Sequence, residues 1–339
     1  MHRFALIGFG NVGQAFARLL LRKQSELSAR YNIEFQVNGI YTAHHGGAIH
    51  QNGLDLSRAL ALAEKHENLV ALSMQPAPAD GIQFISACEA DVLFENSPVN
   101  HASGQPAVEH IRTALQRGMH AVTANKGPLA HAYQELSSLA AAQGKRFLFE
   151  STVMDGAPIF SLFREPLPAL ELHGFTGILN SCTNYILGLL ESGQTFEQAV
   201  RSAQSIGIAE TDPSADIDGW DAAIKVAILA TVLMGASLTP QDIDRQGIRE
   251  ISAEKITAAR ETGKRWKLVC SAAREGGRIS GRVTPQMVSP DSPFFSINGT
   301  SSYVQFETDV LPGLGIVESN PGPETTAYGL LADLINALA

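Results

Sequence analysis

The chain of 339 residues contains 45% hydrophobic and 17% charged residues, a composition typical of a globular protein with a sizeable core and not of a disordered one. Its formal net charge of −9, with no basic cluster, argues against nucleic acids and anionic membrane surfaces as partners, because both are bound through grouped lysines and arginines. At this length we expect two domains.

The cysteines and the apolar runs indicate the compartment. Cys88, Cys182 and Cys270 are scattered and lack the paired spacing of a zinc site, so we interpret them as buried thiols in a reducing environment. The apolar run at the N-terminus is too short for a signal peptide, and the longest run, 226–236, is well below the ~20 residues of a membrane span. We therefore expect a cytoplasmic protein without a transmembrane helix.

The first 150 residues alternate between strand-like and helix-like patterns. Such β-α alternation predicts a parallel sheet covered by helices on both faces. The predicted strands lie at 3–7, 34–41, 91–97, 120–126 and 146–152, and the predicted helices at 11–23, 105–116 and 129–142.

The pattern changes after residue 150. A strand is predicted at 169–179, followed by helices at 183–193, 196–205 and 218–234. The stretch 281–316 is rich in Val, Ile, Phe, Thr, Pro and Gly, which indicates antiparallel strands and loops. An amphipathic helix is predicted at 324–338.

The sequence GFGNVG at 8–13 connects the first predicted strand to the first helix. In this position Gly8 permits a tight turn, Gly10 lets a pyrophosphate approach the backbone, and Gly13 lets the helix pack closely on the strand. The pattern and its context favour a dinucleotide-binding loop over a turn that is only structural.

The end of the second strand bears on the choice of dinucleotide. NAD selectivity usually requires an acidic residue there to hold the ribose hydroxyls, but the sequence NGIYTAHHGG at 38–47 contains neither an acid nor an arginine. His44 and His45 are positioned for a 2′-phosphate, which gives a slight preference for NADP. The alternative is a pair of exposed loop histidines, and a zinc site with His50 is disfavoured because no second ligand cluster accompanies it.

Residues 209–230 gather acidic side chains around a single lysine, Lys225. The acids are Glu210, Asp212, Asp216, Asp218 and Asp221. A calcium loop is excluded because Lys225 would occupy the position of the bidentate glutamate. Helix capping accounts for two of the acids, with Asp218 at the N-cap and Asp221 in the first turn.

Two interpretations of the remaining acids stay open on the residues alone. In the first, Asp221 and Lys225 form an i,i+4 salt bridge within a buried apolar helix. In the second, Glu210, Asp216 and Asp221 form a polar pocket that holds a cationic substrate group and keeps Lys225 charged. Lys126 is similarly open: it is either a solvated loop lysine or a ligand-binding group at the carboxyl end of a strand.

Four stretches, in order along the chain, resemble homoserine dehydrogenase: GFGNVG, TANKGP (123–128), GILNSCTNYIL (177–187) and the acidic run. The resemblance implies an α/β fold in which a Rossmann-type doubly wound parallel sheet is combined with a central α+β catalytic and dimerisation domain. The corresponding domains are 1–150 plus 313–339 and 151–312. It also implies a homodimer that interconverts L-homoserine and L-aspartate 4-semialdehyde with NAD(P), in the pathway to threonine and methionine. Because the sequence ends at Ala339, we expect the short form without a C-terminal regulatory domain.

The resemblance also implies roles for individual residues. Lys225 matches the catalytic lysine, and Lys126 the lysine between nicotinamide and substrate. Glu210, Asp216 and Asp221 match the acids that bind the substrate amino group and order the site. The matched nucleotide contacts are Gly8, Phe9, Gly10, Asn11, Val12, Gly13, Ser97 and Lys126.

A site for a monovalent cation, Na⁺ or K⁺, would correspond to Glu150 and the carbonyls of Val153, Asp155 and Ala157. The sequence departs from the family at Met154-Asp155, where small residues are usual, and at Ser181-Cys182, where Gly-Thr is common.

The alternative functions are another amino-acid dehydrogenase of similar architecture and a non-catalytic regulator that senses a dinucleotide.

Overall fold

The structure is a computed structural model that describes residues 1–339. Its strands are β1 (His2–Ile7), β2 (Phe35–Thr42), β3 (Gly46–Ile49), β4 (Val92–Glu95), β5 (His120–Thr123), β6 (Phe147–Leu148), β7 (Leu172–Ile178), β8 (Asp244–Arg245), β9 (Arg265–Glu275), β10 (Arg278–Val288), β11 (Ser302–Thr308) and β12 (Leu314–Glu318).

The α-helices, with three short 3₁₀ turns between them, complete the secondary structure. They are α1 (Asn11–Tyr31), α2 (Leu56–Glu64), α3 (Gly81–Ala87), α4 (Ala107–Gln116), α5 (Lys126–Ala142), α6 (Phe160–Arg164), α7 (Ser181–Glu191), α8 (Phe196–Ser205), α9 (Ser214–Ile217), α10 (Trp220–Met234), α11 (Ala253–Glu261) and α12 (Pro323–Leu338). None of them combines the length and the hydropathy that a bilayer span requires.

The chain divides into two compact units. Unit 1 comprises Met1–Pro158 and Gly322–Ala339, and unit 2 comprises Ile159–Pro321. The chain returns from unit 2 to unit 1 at Gly322 and not at the predicted residue 313. The reason is that β12 pairs antiparallel with β11 and therefore belongs to the sheet of unit 2.

Unit 1 contains a six-stranded sheet of order β3-β2-β1-β4-β5-β6, in which only β3 is antiparallel to its neighbour. Alternate residues of β1 point to opposite faces of this sheet. Phe4 and Leu6 join a core cluster with residues of α1 and α12, and Ala5 and Ile7 join a second cluster with residues of α3 and α4. The strand order changes direction between β1 and β4, which places a topological switch point at their carboxyl ends.

Unit 2 contains a mostly antiparallel sheet of order β12-β11-β7-β9-β10-β8. The α10 helix is apolar nearly all round, as expected for a helix with little solvent contact, and it packs across β9 and β10. A Cβ at Gly281 of β10 would lie 2.9 Å from the Val226 side chain, so glycine permits this close approach.

The predicted parallel sheet with helices on both faces is confirmed for the first 150 residues, and every predicted strand and helix has a counterpart. The sequence reasoning missed β3, α2 and α3 between 43 and 90, and α6, α9, β8, α11 and β9 later in the chain. Most of these elements are short, and α3 begins at a glycine, so their periodicity is weak over so few residues. The exception is β9, a strand of 11 residues.

Candidate active site

The loop between β1 and α1 depends on glycine. Gly8 has φ +87°, and a Cβ there would overlap the backbone carbonyl of Asn96, which follows β4. A Cβ at Gly13 would overlap the Gly8 carbonyl, so the first turn of α1 lies directly against the loop. At Gly10, by contrast, no atom lies within 4 Å of the place that a Cβ would occupy. The loop is therefore closely packed at Gly8 and Gly13 and open in front, at Gly10, where a ligand can approach the backbone.

The N-terminus of α1 is available to an anion. Its N-cap residue, Gly10, provides no side-chain hydrogen bond, and its first turn contains no acidic residue. The first N–H groups and the positive end of the helix dipole are thus not neutralised by the protein's own side chains. Asn11 is exposed and Val12 half-buried, whereas Phe9 is 5% exposed and packs in the core. Of the predicted nucleotide contacts, Phe9 therefore faces inward with its side chain.

Ser97 and Lys126 lie at the carboxyl edge of the same sheet. Ser97 follows β4, and Lys126 is the half-buried first residue of α5, shortly after β5. The side chain of Asn125 connects the two segments: its Nδ2 donates to the Ser97 carbonyl at 2.9 Å, and its Oδ1 accepts from the Gly127 N–H at 2.9 Å. The structure brings Ser97, the first turn of α5 and the glycine loop together, since Gly8 packs against the backbone at Ser97.

The end of β2 presents no charged side chain. The strand ends at Thr42, and residues 35–54 contain no Asp, Glu, Lys or Arg. His44 is exposed, and the half-buried His45 ring lies 6.1 Å from the ring of His66. Nowhere does the structure place three or more His, Cys, Asp or Glu side chains so that they could hold a metal ion.

In unit 2, Asn180 connects two of the predicted acids. This residue is 3% exposed, and its Oδ1 accepts from the Thr183 N–H at 2.7 Å, which caps α7. Its Nδ2 donates to Asp216 Oδ1 at 2.7 Å and to Asp221 Oδ2 at 2.9 Å. One amide group thus holds carboxylates from α9 and α10 next to each other.

Lys225 belongs to the same cluster. Its Nζ lies 3.3 Å from Asp221 Oδ2 and donates to the Leu179 carbonyl at 2.7 Å. The Lys225 and Asp221 side chains are 13% and 16% exposed, so this ion pair has limited contact with solvent. The i,i+4 salt bridge is present, and Asn180 extends it to Asp216.

The charged form of Asp216 is unfavourable in this environment. Burial raises the pKa of Asp216 to about 6, and the negative charge of Asp221 adds to this effect, while the Asn180 hydrogen bond and the charge of Lys225 oppose it. The Cys182 thiol is buried beside this carboxylate, and burial together with the charge of Asp216 raises the thiol pKa. A positive charge placed next to Asp216 would favour its ionised form.

The predicted capping role of Asp218 is wrong. Gly219, with φ +80°, occupies the N-cap position of α10 and provides no side-chain hydrogen bond. The backbone reverses direction at this glycine, and the Asp218 carboxylate instead pairs with Arg249, at 2.9 Å and 3.1 Å. The prediction that Asp221 lies in the first turn is confirmed.

Glu210 lies apart from the cluster. It is exposed, in the segment between α8 and α9, and its backbone carbonyl accepts from Gln204 Nε2 at 3.1 Å. No hydrogen bond or ion pair connects the Glu210 carboxylate to Asn180, Asp216 or Asp221. The structure thus brings together Asp216, Asp221 and Lys225, but not Glu210.

The segment 150–157 of unit 1 combines a buried carboxylate with carbonyl groups. Glu150 is 3% exposed. The Ala157 N–H donates to the Met154 carbonyl at 2.8 Å. No backbone N–H of unit 1 donates to the carbonyls of Val153, Asp155 or Ala157. One carboxylate and three such oxygens are ligands that suit a hard monovalent cation.

The side chain of Asp155 has a separate partner. Its Oδ2 accepts from the Gly322 N–H and from the Thr325 hydroxyl, each at 2.8 Å, at the N-terminus of α12. The carboxylate that departs from the family's small residue is thus used to hold the C-terminal helix. Only the backbone carbonyl of Asp155 is left for an ion.

Comparison with known proteins assigns the family. Residues 8–150 match the profile described as homoserine dehydrogenase, NAD binding domain, and residues 158–335 match the profile described as homoserine dehydrogenase. The chain belongs to the homoserine dehydrogenase family. The resemblance found in the four sequence stretches is confirmed over nearly the whole chain.

Homoserine dehydrogenases of similar length are among the relatives. One from Methanocaldococcus jannaschii is 38% identical over 332 residues, which are 98% of this chain and 97% of the relative. A relative from Pseudomonas canavaninivorans, named as an NAD(+)-dependent homoserine dehydrogenase, is 35% identical over 336 residues, 99% of this chain and 96% of the relative.

Solved structures of homoserine dehydrogenases share the fold. A crystal structure from Archaeoglobus fulgidus that is assigned to this family has a TM-score of 0.88 at 33% identity and covers 100% of both chains. A hyperthermophilic archaeal homoserine dehydrogenase in complex with NADPH has a TM-score of 0.83 at 29% identity and covers 99% of this chain and 97% of its own. The predicted α/β architecture is confirmed.

As a homoserine dehydrogenase, the protein is an NAD(P)-dependent oxidoreductase that acts on a CH–OH group of a small molecule. It interconverts L-homoserine and L-aspartate 4-semialdehyde, and neither alternative function is favoured. The substrate carries an ammonium group, and the product of its oxidation carries an aldehyde. The site must therefore supply an anionic partner and a group that moves a proton.

Sequence reasoning missed Asn180, the residue that orders the acids of this homoserine dehydrogenase. The available signal was that an asparagine, a residue type favoured at N-caps, precedes a predicted helix. That signal predicts only the contacts of Oδ1. The contacts of Nδ2 lie 36 and 41 residues away along the chain and follow from the tertiary fold.

Proposed function

We propose that Lys225 transfers the proton in this reaction and that Asp216 and Asp221 bind the amino group of the substrate. One observation carries the proposal: the ammonium of Lys225 is held by Asp221 and by a carbonyl in a cluster with a second carboxylate that is costly to ionise. A cation that enters this cluster gains a carboxylate partner, and a developing oxyanion gains an ammonium.

Lys225 suits proton transfer because of its surroundings. Reduction of the aldehyde leaves negative charge on oxygen, which an ammonium both stabilises and protonates. In the reverse direction the neutral amine removes the hydroxyl proton of homoserine. The Leu179 carbonyl at 2.7 Å and Asp221 at 3.3 Å orient Nζ, so little reorganisation is needed at the moment of transfer.

The substrate amino group is proposed to bind at Asp216 and Asp221. Both carboxylates accept a hydrogen bond from Nδ2 of Asn180, and the repulsion between their negative charges makes their simultaneous ionisation less favourable. A substrate ammonium relieves this repulsion, and hydrogen bonds to charged groups are among the strongest in proteins. Glu210 is proposed for the same group on the family resemblance alone.

The dinucleotide is proposed to bind at the open front of the glycine loop, with Gly10, Asn11 and the α1 N-terminus at its pyrophosphate. When bound, the nicotinamide ring supplies or accepts the hydride. Ser97 and Lys126, at the carboxyl edge of β4 and β5, are proposed to contact the nicotinamide half. Phe9 contributes its backbone, because its side chain is in the core.

A preference for NADP over NAD is proposed on the residues that follow β2. Because residues 35–54 contain no carboxylate, no side chain there repels a 2′-phosphate or accepts a hydrogen bond from a free 2′-hydroxyl as an acidic residue would. His44 is exposed at the turn and can donate to such a phosphate. Relatives are described with each cofactor, one as NAD(+)-dependent and one in complex with NADPH.

A monovalent cation, Na⁺ or K⁺, is proposed at Glu150 and the carbonyls of Val153, Asp155 and Ala157. Support comes from the buried carboxylate and from carbonyls that receive no N–H donor within unit 1. Such an ion would fix the path of the chain at 153–157, which leads into the tie between Asp155 and α12.

One activity assay tests the cofactor and cation proposals together. Enzyme with L-homoserine is mixed with NAD or NADP in buffers that contain only Na⁺, only K⁺ or a large organic cation, and reduced cofactor is followed at its absorbance band. The expected result is turnover with both cofactors, a higher kcat/KM with NADP, and loss of rate in the organic cation. Turnover that is equal in all buffers would remove the ion from the mechanism, and a higher kcat/KM with NAD would reverse the cofactor proposal.

A homodimer is proposed on the uncovered face of the unit 2 sheet. Strand alternation places Phe306 on the side covered by α6, where its ring lies 4.9 Å from that of Phe163. On the opposite face Thr176, Ser271, Ala273 and Gln305 are small or uncharged and half-exposed, and the charged Glu307 and Arg282 lie beside them on the same face. A flat surface of this kind suits a second copy of the sheet, related by a two-fold axis.

Replacing Ala273 by arginine is expected to convert the dimer to a 36.2 kDa monomer, because a charge would be buried at the centre of this surface. Sedimentation velocity measures the change. Ala258 on α11 is also exposed but lies outside the surface, so Ala258→Arg is the matched control and should remain dimeric. A dimer that survives Ala273→Arg would place the interface elsewhere.

A further inference from the structure

Glu95, the last residue of β4, has a charge that the proposed mechanism does not use. It is 0% exposed and lies at the carboxyl end of a central strand of unit 1. A carboxylate without water is costly unless donors surround it. The contacts of Glu95 therefore indicate what the charge is retained for.

Three donors converge on one oxygen of this carboxylate. Oε1 accepts from the Ser97 N–H at 3.3 Å and, at short range, from the Ser97 hydroxyl. The Nδ1 atom of His110, which is 4% exposed, lies 3.3 Å from the same oxygen. Since a carboxylate only accepts, this contact requires the proton on Nδ1. From its buried position, Glu95 thus binds both the backbone N–H and the side-chain hydroxyl of Ser97.

The contacts continue from Ser97 to Lys126. The Ser97 carbonyl accepts from Asn125 Nδ2, and Asn125 caps α5, whose first residue is Lys126. The Thr123 hydroxyl donates to the Glu95 carbonyl at 2.6 Å and accepts from the Asn125 N–H at 2.9 Å. The Glu95 carboxylate thus reaches the start of α5 through Ser97 and Asn125, while Thr123 binds mainly the Glu95 backbone carbonyl and lies 3.5 Å from Oε2 of the carboxylate.

We infer that Glu95 is a positioning residue of the cofactor site: it holds Ser97, and through Ser97 and Asn125 the start of α5, in the arrangement that binds the nicotinamide half of the dinucleotide. This inference rests on the proposed contact of Ser97 with the cofactor. Glu95 itself touches neither cofactor nor substrate, since its side chain is 0% exposed and lies among Ser97, His110 and Thr123.

The test uses Glu95→Gln in the full-length protein. Glutamine keeps the size of the side chain, but a single neutral oxygen replaces the charged acceptor of three donors. We expect the Kd of NADPH and NADH, measured by nicotinamide fluorescence, to rise about tenfold or more, because hydrogen bonds to charged groups are worth more than neutral ones. The KM of homoserine, by contrast, should change by less than about twofold. An unchanged Kd would overturn the inference.

A double-mutant cycle with Ser97→Ala tests the route. If Glu95 acts through Ser97, Glu95→Gln adds little to the loss already caused by Ser97→Ala, and fully additive losses would overturn it. If Ser97→Ala alone leaves the Kd unchanged, the proposed Ser97 contact is at fault; if only Glu95→Gln leaves it unchanged, the positioning role is at fault.

Two further variants separate positioning from folding. Glu89→Gln removes an exposed carboxylate that pairs with Arg3 at 2.9 Å in the same unit, and it should leave the Kd unchanged. Should Glu95→Gln fail to fold, Glu95→Asp keeps the charge but withdraws it by one methylene, and the same cofactor-specific loss is expected. A Glu95→Asp enzyme that binds the dinucleotide as well as the parent would overturn the inference.

Discussion

Replacing Lys225 by methionine is expected to lower kcat by about 10²–10⁴-fold, the usual contribution of a positioned proton donor. Methionine preserves the apolar packing of α10 while it removes the ammonium that lies between Asp221 and the Leu179 carbonyl. The dinucleotide Kd should stay unchanged, because the proposed contacts of the cofactor belong to unit 1. Single-turnover and steady-state rates at saturating homoserine measure the loss.

Arginine at the same position distinguishes proton transfer from charge alone. Lys225→Arg keeps the positive charge but does not release a proton at neutral pH. If Lys225 transfers the proton, the arginine variant should resemble the methionine variant and not the parent enzyme. Lys255→Met, which removes an exposed lysine from α11 of the same unit, is the matched control. A Lys225→Met enzyme that is folded and turns over normally would refute the assignment.

Replacing Asp216 by asparagine is expected to have opposite effects on binding and on stability. Asparagine still accepts the hydrogen bond from Asn180 Nδ2 but cannot pair with a substrate ammonium. A hydrogen bond to a charged group contributes about 1.5–3 kcal/mol, so the KM of homoserine should rise by roughly 10- to 100-fold. Asp212→Asn, an exposed acid in the same segment, should leave KM unchanged.

The gain in stability depends on pH in a defined direction. The pKa of Asp216 is about 6 in the folded protein and 3.8 when the side chain is unperturbed. The folded state therefore binds the proton more tightly, and the free energy of unfolding falls as pH rises from about 4 to about 6. Above that range the ionised side chain costs roughly 3 kcal/mol.

Asp216→Asn removes this cost, so its Tm should exceed that of the parent by several degrees at pH 7–8 and approach it as pH falls toward 4. Thermal unfolding at a series of pH values measures the difference. For Asp212 the sign is reversed, because the Ser214 hydroxyl and N–H lower the pKa of that carboxyl. An Asp216→Asn protein that is less stable than the parent at pH 8 would show that the site does not strain this carboxylate.

The sequence was most informative where structure is local. The strand, glycine loop and helix at 2–31 could be predicted because periodicity and three glycines act over short distances. The same reasoning failed at Asp218, where Gly219 turns the chain through a left-handed residue before α10 begins. An aspartate next to an apolar helix looks like a cap, and only the turn shows that it is not.

The candidate site was predicted in part for the same reason. The spacing of Asp221 and Lys225 on one helix made their ion pair predictable. Asn180 and Glu95 act across the fold, and the one local signal, the position of Asn180 before a helix, does not predict its contacts with the acids. Glu95 lies within an apolar strand and becomes notable only when its contacts with Ser97 and His110 are known.

The ties between α12 and the segment 150–158 have a consequence for synthesis of the chain. The Glu150 N–H donates to Asp333 at 2.7 Å, the Ser151 hydroxyl donates to the Thr326 carbonyl at 2.7 Å, and Leu330 and Leu334 lie in the main core cluster of unit 1. Domains generally fold as units while the ribosome releases them, beginning at the N-terminus. Here residues 1–158 lack a core helix until residues 323–338 have also been synthesised, so unit 2 can complete its core before unit 1 does. A chain that has been released only as far as Pro321 therefore exposes the apolar groove that α12 fills.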